Sequence, residues 1–178
     1  MPVAIRRRWF AAQLIVAAVV AVPIRAQSSV SASLTATVTV VAPLSLTVTH
    51  ALDFGRVLTY SAKTVTPIAS TAGHFEVAGQ GGSTLTVTLL MPKELTPAVG
   101  STNLPVTGWE YLSGETPVLS GAPISFNGGA LLSIPTAFPG LTSSKLYFGI
   151  GATVQVPALQ PTGSYSGTGQ ITANYTDL

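Results

Sequence analysis

The feature that most limits how this chain can fold is an alternation of apolar and hydroxyl side chains with a period of two. Between residues 29 and 40, apolar residues occupy every second position and serine or threonine fills the positions between them. The apolar members of this segment are Val30, Ala32, Leu34, Ala36, Val38 and Val40. Successive side chains of an extended strand point to opposite sides, so the pattern gives one apolar face and one hydroxyl face. It predicts a long β-strand.

Similar strand patterns recur along the rest of the chain, separated by clusters of glycine, proline and asparagine that are typical of turns. We predict strands at Leu44–Val48, His74–Ala78, Leu85–Leu90, Val106–Leu112, Leu146–Val156 and Tyr165–Tyr175. Strands at this spacing predict an all-β protein, a single antiparallel β-sandwich of the immunoglobulin-like or pilin-like type.

We predict a different local structure for each of three connecting regions. The stretch from Pro92 to Pro123 is rich in proline and the least regular, so we expect long loops there. Gly79–Ser83 contains three glycines between two strand patterns, which predicts a hairpin turn. A short helix could begin within residues 131–134, but Pro135 and Pro139 would stop it.

The N-terminus has the order of a secretory signal. Three arginines at positions 6 to 8 precede a run from residue 9 to residue 22 that is apolar except for Gln13. Ala26 supplies the small residue before a cleavage site. The run is shorter than the roughly 20 residues that span a bilayer. We therefore expect residues 1–26 to be a signal peptide and residues 27–178 to be the β-sandwich domain. The mature protein would lie in the periplasm, on the cell surface or outside the cell.

Removal of the signal reverses the charge of the chain. Four basic and six acidic residues remain, which gives a formal net charge of −2. No basic face for nucleic acid exists in such a chain. Cysteine is absent, so stability must come from packing and sheet hydrogen bonds. A surface with so few charges resists association weakly, which suits a protein that packs against neighbours.

Residues that resemble catalytic or ligand-binding motifs lack the context that such motifs need. Asp53-Phe54-Gly55 stands without any other kinase motif. We expect Leu52 and Phe54 to enter the core, Gly55 to permit a bend and Asp53 to bind nearby backbone N–H groups. His50 and His74 lack the cysteines or carboxylate cluster of a metal site. We expect no enzyme activity, no cofactor and no metal.

Trp109 and Tyr111 lie two residues apart, so they share one face of a strand. Two interpretations fit this spacing. If the pair is exposed, it forms a platform that can stack on a sugar ring or anchor a partner. If it is buried, both rings fill the core beside Leu112.

Three local patterns occur in an order that indicates a family. Val41–Leu46 leads into Leu52-Asp53-Phe54-Gly55, Phe75–Gly79 follows, and the C-terminus carries Gly163, Tyr165, Gly167 and Tyr175. This order resembles the bacterial domain-of-unknown-function 4402 family, whose members are exported β-sandwich proteins. It is also similar to the spore coat protein U and chaperone–usher pilin group, although this chain lacks the cysteines usual there. The resemblance implies fold and export rather than an activity.

Two interpretations of the segment Ser29–Val40 lead to different modes of assembly. It is either the first strand of its own sheet or a strand that complements the sheet of a neighbouring subunit. The first functional hypothesis is therefore a structural subunit of a surface fibre, coat or biofilm layer, with copies of itself or other exported subunits as partners. The second is a monomeric carbohydrate-binding or adhesive module that uses Trp109 and Tyr111. We expect no nucleic-acid partner, and membrane contact only through the export signal.

Overall fold

The computed structural model describes residues 32–140 and 144–177, and the chain divides after Val38. Within these ranges the regular structure consists of strands, with no helix. The strands are β1 (Ser45–His50), β2 (Ser61–Val65), β3 (Gly73–Ala78), β4 (Thr84–Leu90), β5 (Glu94–Pro97), β6 (Leu104–Gly114), β7 (Ile124–Phe126), β8 (Leu131–Ala137), β9 (Lys145–Val156), β10 (Tyr165–Ser166) and β11 (Gln170–Tyr175).

The strands form two antiparallel sheets. The larger sheet has eight strands in the order β1-β3-β9-β6-β5-β10, with β2 paired to β9 and β7 paired to β6. The smaller sheet has three strands in the order β11-β4-β8. Two sheets with apolar inner faces confirm the all-β sandwich that the alternation predicts.

The core lies between the inner faces of the two sheets. At the centre of the smaller sheet, Leu85, Val87 and Leu89 of β4 are 1% exposed or less. In the larger sheet, Phe75 of β3 and Phe148 of β9 stack with ring centroids 4.7 Å apart. The hydroxyl side chains between the buried residues of β4 lie on the outer face, as period two requires.

A β-bulge in β6 decides which of its residues face the core. The pairing with β9 shifts between Thr107 and Glu110, where β6 has one more residue than its partner. Gly108 lies in the bulge with φ 58°, a backbone conformation that glycine adopts without steric cost. The extra residue brings both Val106 and Trp109 to the inner face, although one has an even number and the other an odd number.

The strands β2 and β3 form one interrupted strand along the same side of β9. β2 pairs with residues 152–156 and β3 with residues 145–150. The intervening backbone crosses the outer face of β9, where a Cβ on Gly149 or Gly151 would collide with backbone atoms of residues 65–67. Glycine is therefore required at these two positions for the close approach.

Several sequence-based expectations about connections are wrong. The region Pro92–Pro123 contains all of β5 and β6, because proline at residues 97 and 105 sits at positions that strands tolerate. Residues 131–137 form β8 rather than a helix. Gly79–Ser83 is no hairpin, since β3 and β4 lie in different sheets. Tyr165–Tyr175 is two strands, because the chain passes from one sheet to the other between β10 and β11.

The N-terminal segment, as we call residues 32–40, forms no strand. Its apolar side chains are exposed, with Leu34 at 96%, Val38 at 86% and Val40 at 87%. The prediction of a first strand within the chain's own sheet is therefore wrong for these residues. The predicted signal peptide at residues 1–26 and Val30 of the alternating segment lie outside the described residues.

Candidate functional site

The Asp53-Phe54-Gly55 motif has a structural role. The Asp53 carboxylate accepts a hydrogen bond from the Gly55 N–H at 2.7 Å, and Gly55 has φ 63°. Leu52 and Phe54 pack against the core as partly buried side chains. These contacts match the roles that the sequence predicts for this motif: a bend, a carboxylate that binds a backbone N–H, and two apolar anchors.

The tyrosine of the C-terminal motif joins three parts of the sandwich. The Tyr175 hydroxyl accepts a hydrogen bond from the Gln80 N–H at 2.6 Å and donates one to the Ala42 carbonyl at 2.8 Å. Its ring packs edge-on against Phe138, with centroids 6.5 Å apart. Tyr175 therefore ties the last strand to the β3–β4 connection and to the chain before β1.

A second tyrosine fixes the approach to β10. The Tyr165 hydroxyl donates to the Pro161 carbonyl at 2.7 Å and lies 2.9 Å from the Gln160 side-chain nitrogen. Gln160 is only 7% exposed, and its amide also reaches the Thr102 carbonyl at 3.1 Å. Gly167 lies close to Leu95 of β5, so a side chain there would clash. Gly163 has open space around it, so a side chain would fit at this position.

His50 and His74 lie side by side, and both rings bind backbone carbonyls of the loop between β2 and β3 that crosses β9. Their ring centroids are 6.3 Å apart. His50 Nδ1 donates to the Ala72 carbonyl at 2.9 Å, and His74 Nε2 donates to the Pro67 carbonyl at 3.1 Å. Within residues 32–140 and 144–177, no group of three His, Cys, Asp or Glu side chains is placed to hold a metal ion.

Trp109 and Tyr111 are brought together, but inside the core. Trp109 is 4% exposed and Tyr111 is 7% exposed, and both rings lie near Phe126. The Trp109 indole nitrogen donates to the Pro92 carbonyl at 3.0 Å. An exposed ligand platform at this pair is therefore wrong, because neither ring offers a free face. The bulge at Gly108 is what turns both rings inward.

Two clefts lie on the surface of the larger sheet. One of 480 Å³ is lined by Tyr60, Thr107, Gln155 and neighbouring residues, which provide no ionisable acid or base other than the phenol. The other, of 370 Å³, contains His74 and Glu76. His74 is bound to the Pro67 carbonyl and Glu76 forms an ion pair with Lys145 at 3.1 Å. The imidazole and the carboxylate of the second cleft are thus engaged in structural bonds.

Two features of the described residues have no structural role among the contacts above: the N-terminal segment and the outer edge of β11. The N-terminal segment exposes an apolar face of strand-like pattern. In the smaller sheet, β11 is an outer strand whose single partner among the described strands is β4. The sequence reveals the segment through its alternation. It cannot reveal the edge, because an edge depends on the order of strands in the sheet.

The molecule is thus an antiparallel two-sheet β-sandwich whose conspicuous motif residues hold the fold together. The family model described as domain of unknown function (DUF4402) matches residues 53–175, more than half of the 178-residue chain. The chain belongs to this family. No curated protein matches it significantly. In the part of the chain that the structure describes, no helix has the length and apolar character needed to cross a membrane.

Proposed function

We propose that this chain is an exported, non-enzymatic structural subunit that assembles by β-strand addition through its N-terminal segment. The observation that carries the proposal is the exposure of Leu34, Val38 and Val40 on one face of an alternating segment. Exposed apolar residues in a contiguous, patterned stretch mark an interaction surface more often than isolated ones do.

The energetics favour a strand as the bound form. Burial of a Val or Leu side chain contributes about 1.5–3 kcal/mol, so three of them contribute roughly 5–9 kcal/mol. Association costs about 4–15 kcal/mol in lost freedom of motion. Apolar burial alone therefore does no more than roughly balance the free-energy cost of association. The main-chain hydrogen bonds of an added strand supply the remaining stabilisation, which a loosely docked segment would lack.

Two further observations support a structural role. The residues after position 26 carry ten charges in total, too few to keep copies apart by repulsion. The residue order of positions 1–26 supports export, which places the protein where surface layers and fibres form.

The oligomeric state of the exported protein tests this proposal. We expect the purified protein to begin at Gln27 by mass spectrometry and to form oligomers whose mass grows with concentration in light scattering. The double variant Leu34→Ser, Val38→Ser should shift the protein to monomer by removing two apolar anchors. The matched control Thr35→Ser, Thr39→Ser changes the opposite face and should assemble normally.

A monomer at every concentration up to the millimolar range would refute the assembly role. Equal assembly of the two double variants would show that the apolar face is not the contact. Recovery of the unprocessed chain in the cytoplasm would refute export separately from assembly.

A further inference from the structure

The free sheet edges of this molecule are not equally protected against pairing with another strand. Natural edge strands carry charges, prolines or bulges, or are kept very short. In the described residues, β1 has a bulge between Val48 and His50, β2 contains Lys63, and β8 contains Pro135. β7 has three residues and β10 has two.

The edge of β11 has none of these protections. Its six residues, Gln170–Tyr175, include no charge and no proline, and they pair with β4 in an unbroken register. A strand of this length with a regular open edge is a template for a further strand.

The register identifies which backbone groups of β11 face outward. The Thr176 N–H donates to the Thr84 carbonyl at 3.0 Å, directly across the ladder that continues the β11–β4 register. Hydrogen-bonded and non-hydrogen-bonded pairs alternate along an antiparallel ladder. Residues 170, 172 and 174 therefore bond to β4. Ile171, Ala173 and Tyr175 direct their N–H and C=O groups toward the open edge.

The same three residues lie over a part of the core that is incompletely covered. Their side chains face inward yet are only half-buried, whereas the inward side chains of β4 are 1% exposed or less. Leu44, the residue just before β1, is also only partly buried, and it and Tyr175 both pack beside Gly79. A strand added to β11 would place every second side chain over this opening.

The N-terminal segment has the properties that this position requires. Apolar side chains at every second position would continue the inner face, and its threonines would continue the polar outer face formed by Gln170, Thr172 and Asn174. Both partners are uncharged, so pairing desolvates no ionised group. Residues 32–40 are also long enough to cover the six residues of β11.

The direction of the chain favours a segment from a second copy. The Ala42 carbonyl is bound by the Tyr175 hydroxyl, so the chain approaches the sandwich beside the C-terminal end of β11. Residues just before Ala42 could reach their own β11 only in the parallel direction. A second copy can add its segment in the antiparallel direction, which is slightly more stable per residue.

We propose that the open edge of β11 accepts the N-terminal segment of a second copy of this chain as an antiparallel strand. This inference rests on the proposed function and adds the surface that receives the segment. Because each copy has one segment and one edge, the contact is head-to-tail, and a copy bound through its segment still offers its edge to a third copy. Assemblies should therefore extend as chains.

A proline at position 173 tests the edge with little change to the fold. Ala173→Pro removes an N–H that points away from β4, which edge strands tolerate. Ala173→Val has similar bulk but keeps the N–H, so it is the matched control. We expect Ala173→Pro to weaken self-association at least tenfold in sedimentation velocity, and Ala173→Val to assemble like the unchanged protein.

Mixing two variants tests the direction of the contact. Ala173→Pro keeps the segment but blocks the edge, whereas Leu34→Ser, Val38→Ser keeps the edge but weakens the segment. Each alone should be monomeric, and the mixture should form a dimer of one copy of each in native mass spectrometry. Absence of this mixed dimer would overturn the proposal.

Hydrogen exchange on the unchanged protein makes the test independent of whether a variant folds. The amides of Ile171, Ala173 and Tyr175 should exchange rapidly in dilute monomer and become protected as oligomers form. If oligomers form through the segment while these amides stay unprotected, the acceptor is elsewhere and the proposed function stands. If no oligomers form, the proposed function itself fails. Protection that is independent of concentration would indicate pairing within one chain and would overturn the second-copy proposal.

Discussion

The polar groups of two aromatic side chains bind backbone groups of segments that lie far from them in sequence. The Tyr175 hydroxyl satisfies a backbone donor at Gln80 and binds the carbonyl of Ala42. The Trp109 indole binds the Pro92 carbonyl. Both contacts join segments far apart in sequence, so each fixes a connection that the sheet ladders leave free.

Removal of the Tyr175 hydroxyl should destabilise the fold measurably. Tyr175→Phe leaves the Gln80 N–H without its partner in a partly buried position, which costs about 1–3 kcal/mol. Urea denaturation of monomeric protein measures this loss. Tyr147→Phe is the control, because its hydroxyl makes no hydrogen bond with the described residues, and it should change stability little. Equal effects of the two substitutions would contradict the role assigned to Tyr175.

The sequence predicted some of these residue roles and not others. Asp53 and Gly55 were predictable because an Asx-type contact and a glycine bend are local in sequence. The location of Trp109 and Tyr111 was not, because spacing shows that two side chains share a face but not which face is inward. The bulge at Gly108 decides that, and its position depends on pairing with β9.

At the scale of elements, β9 organises the larger sheet. It pairs with β6 along one side and with both β2 and β3 along the other. The loop between β2 and β3 crosses its outer face, and His50 and His74 bind carbonyls of that loop. The glycines at 149 and 151 make this crossing possible.

A methyl group at this crossing should be costly. In Gly151→Ala the new Cβ would overlap the Val65 carbonyl oxygen, and backbone must move to accommodate it. We expect a loss of about 1–3 kcal/mol, as for other overpacked sites. The control Gly163→Ala has open space and should be neutral in the same thermal melts. Unchanged stability in Gly151→Ala would show that the crossing loop is not closely packed.

The elements that the sequence missed are those without clean alternation. β2, β5 and β7 are short, and β8 contains a proline that its edge position tolerates. The division of Tyr165–Tyr175 into two strands also escaped prediction. Alternation continues through the passage between sheets, so the pattern carries no sign that the pairing partner changes from β5 to β4.

At the scale of the whole molecule, charge contributes little to cohesion. The ion pair between Lys145 and Glu76, at 3.1 Å, is exposed at the lysine. The hydrogen bond and charge of Glu76 raise the pKa of Lys145 above its ordinary value of 10.5. Because the folded-state pKa is raised, the pair stabilises the fold below pH 10.5 and loses its effect as pH rises further.

The pair should therefore have a small effect that depends on salt and pH. Lys145→Gln should lower the melting temperature slightly at neutral pH and low salt, and the difference should vanish in about 1 M salt, where the screening length is about 3 Å. The difference should also disappear once the pH exceeds the raised pKa of Lys145, where both proteins lack the charge. A difference that persists in high salt would indicate lost packing by the lysine stem rather than lost charge.

The architecture of the whole molecule was predictable from alternation and turn residues, but the order of its strands was not. Period two identifies an inner and an outer face for each strand and says nothing about its neighbour. The smaller sheet shows this most clearly, because β4 lies between β8 and the distant C-terminal strand.

That arrangement has a consequence for the time course of folding. The central strand of the smaller sheet, β4, pairs with residues 170–175, which lie far along the chain from it. A chain that emerges N-terminus first from a ribosome cannot complete the smaller sheet until residues 170–175 have emerged. Pairings this remote in sequence also form slowly. β4 therefore remains without this partner while the residues between the two strands are made, and the smaller sheet is completed only when β11 follows.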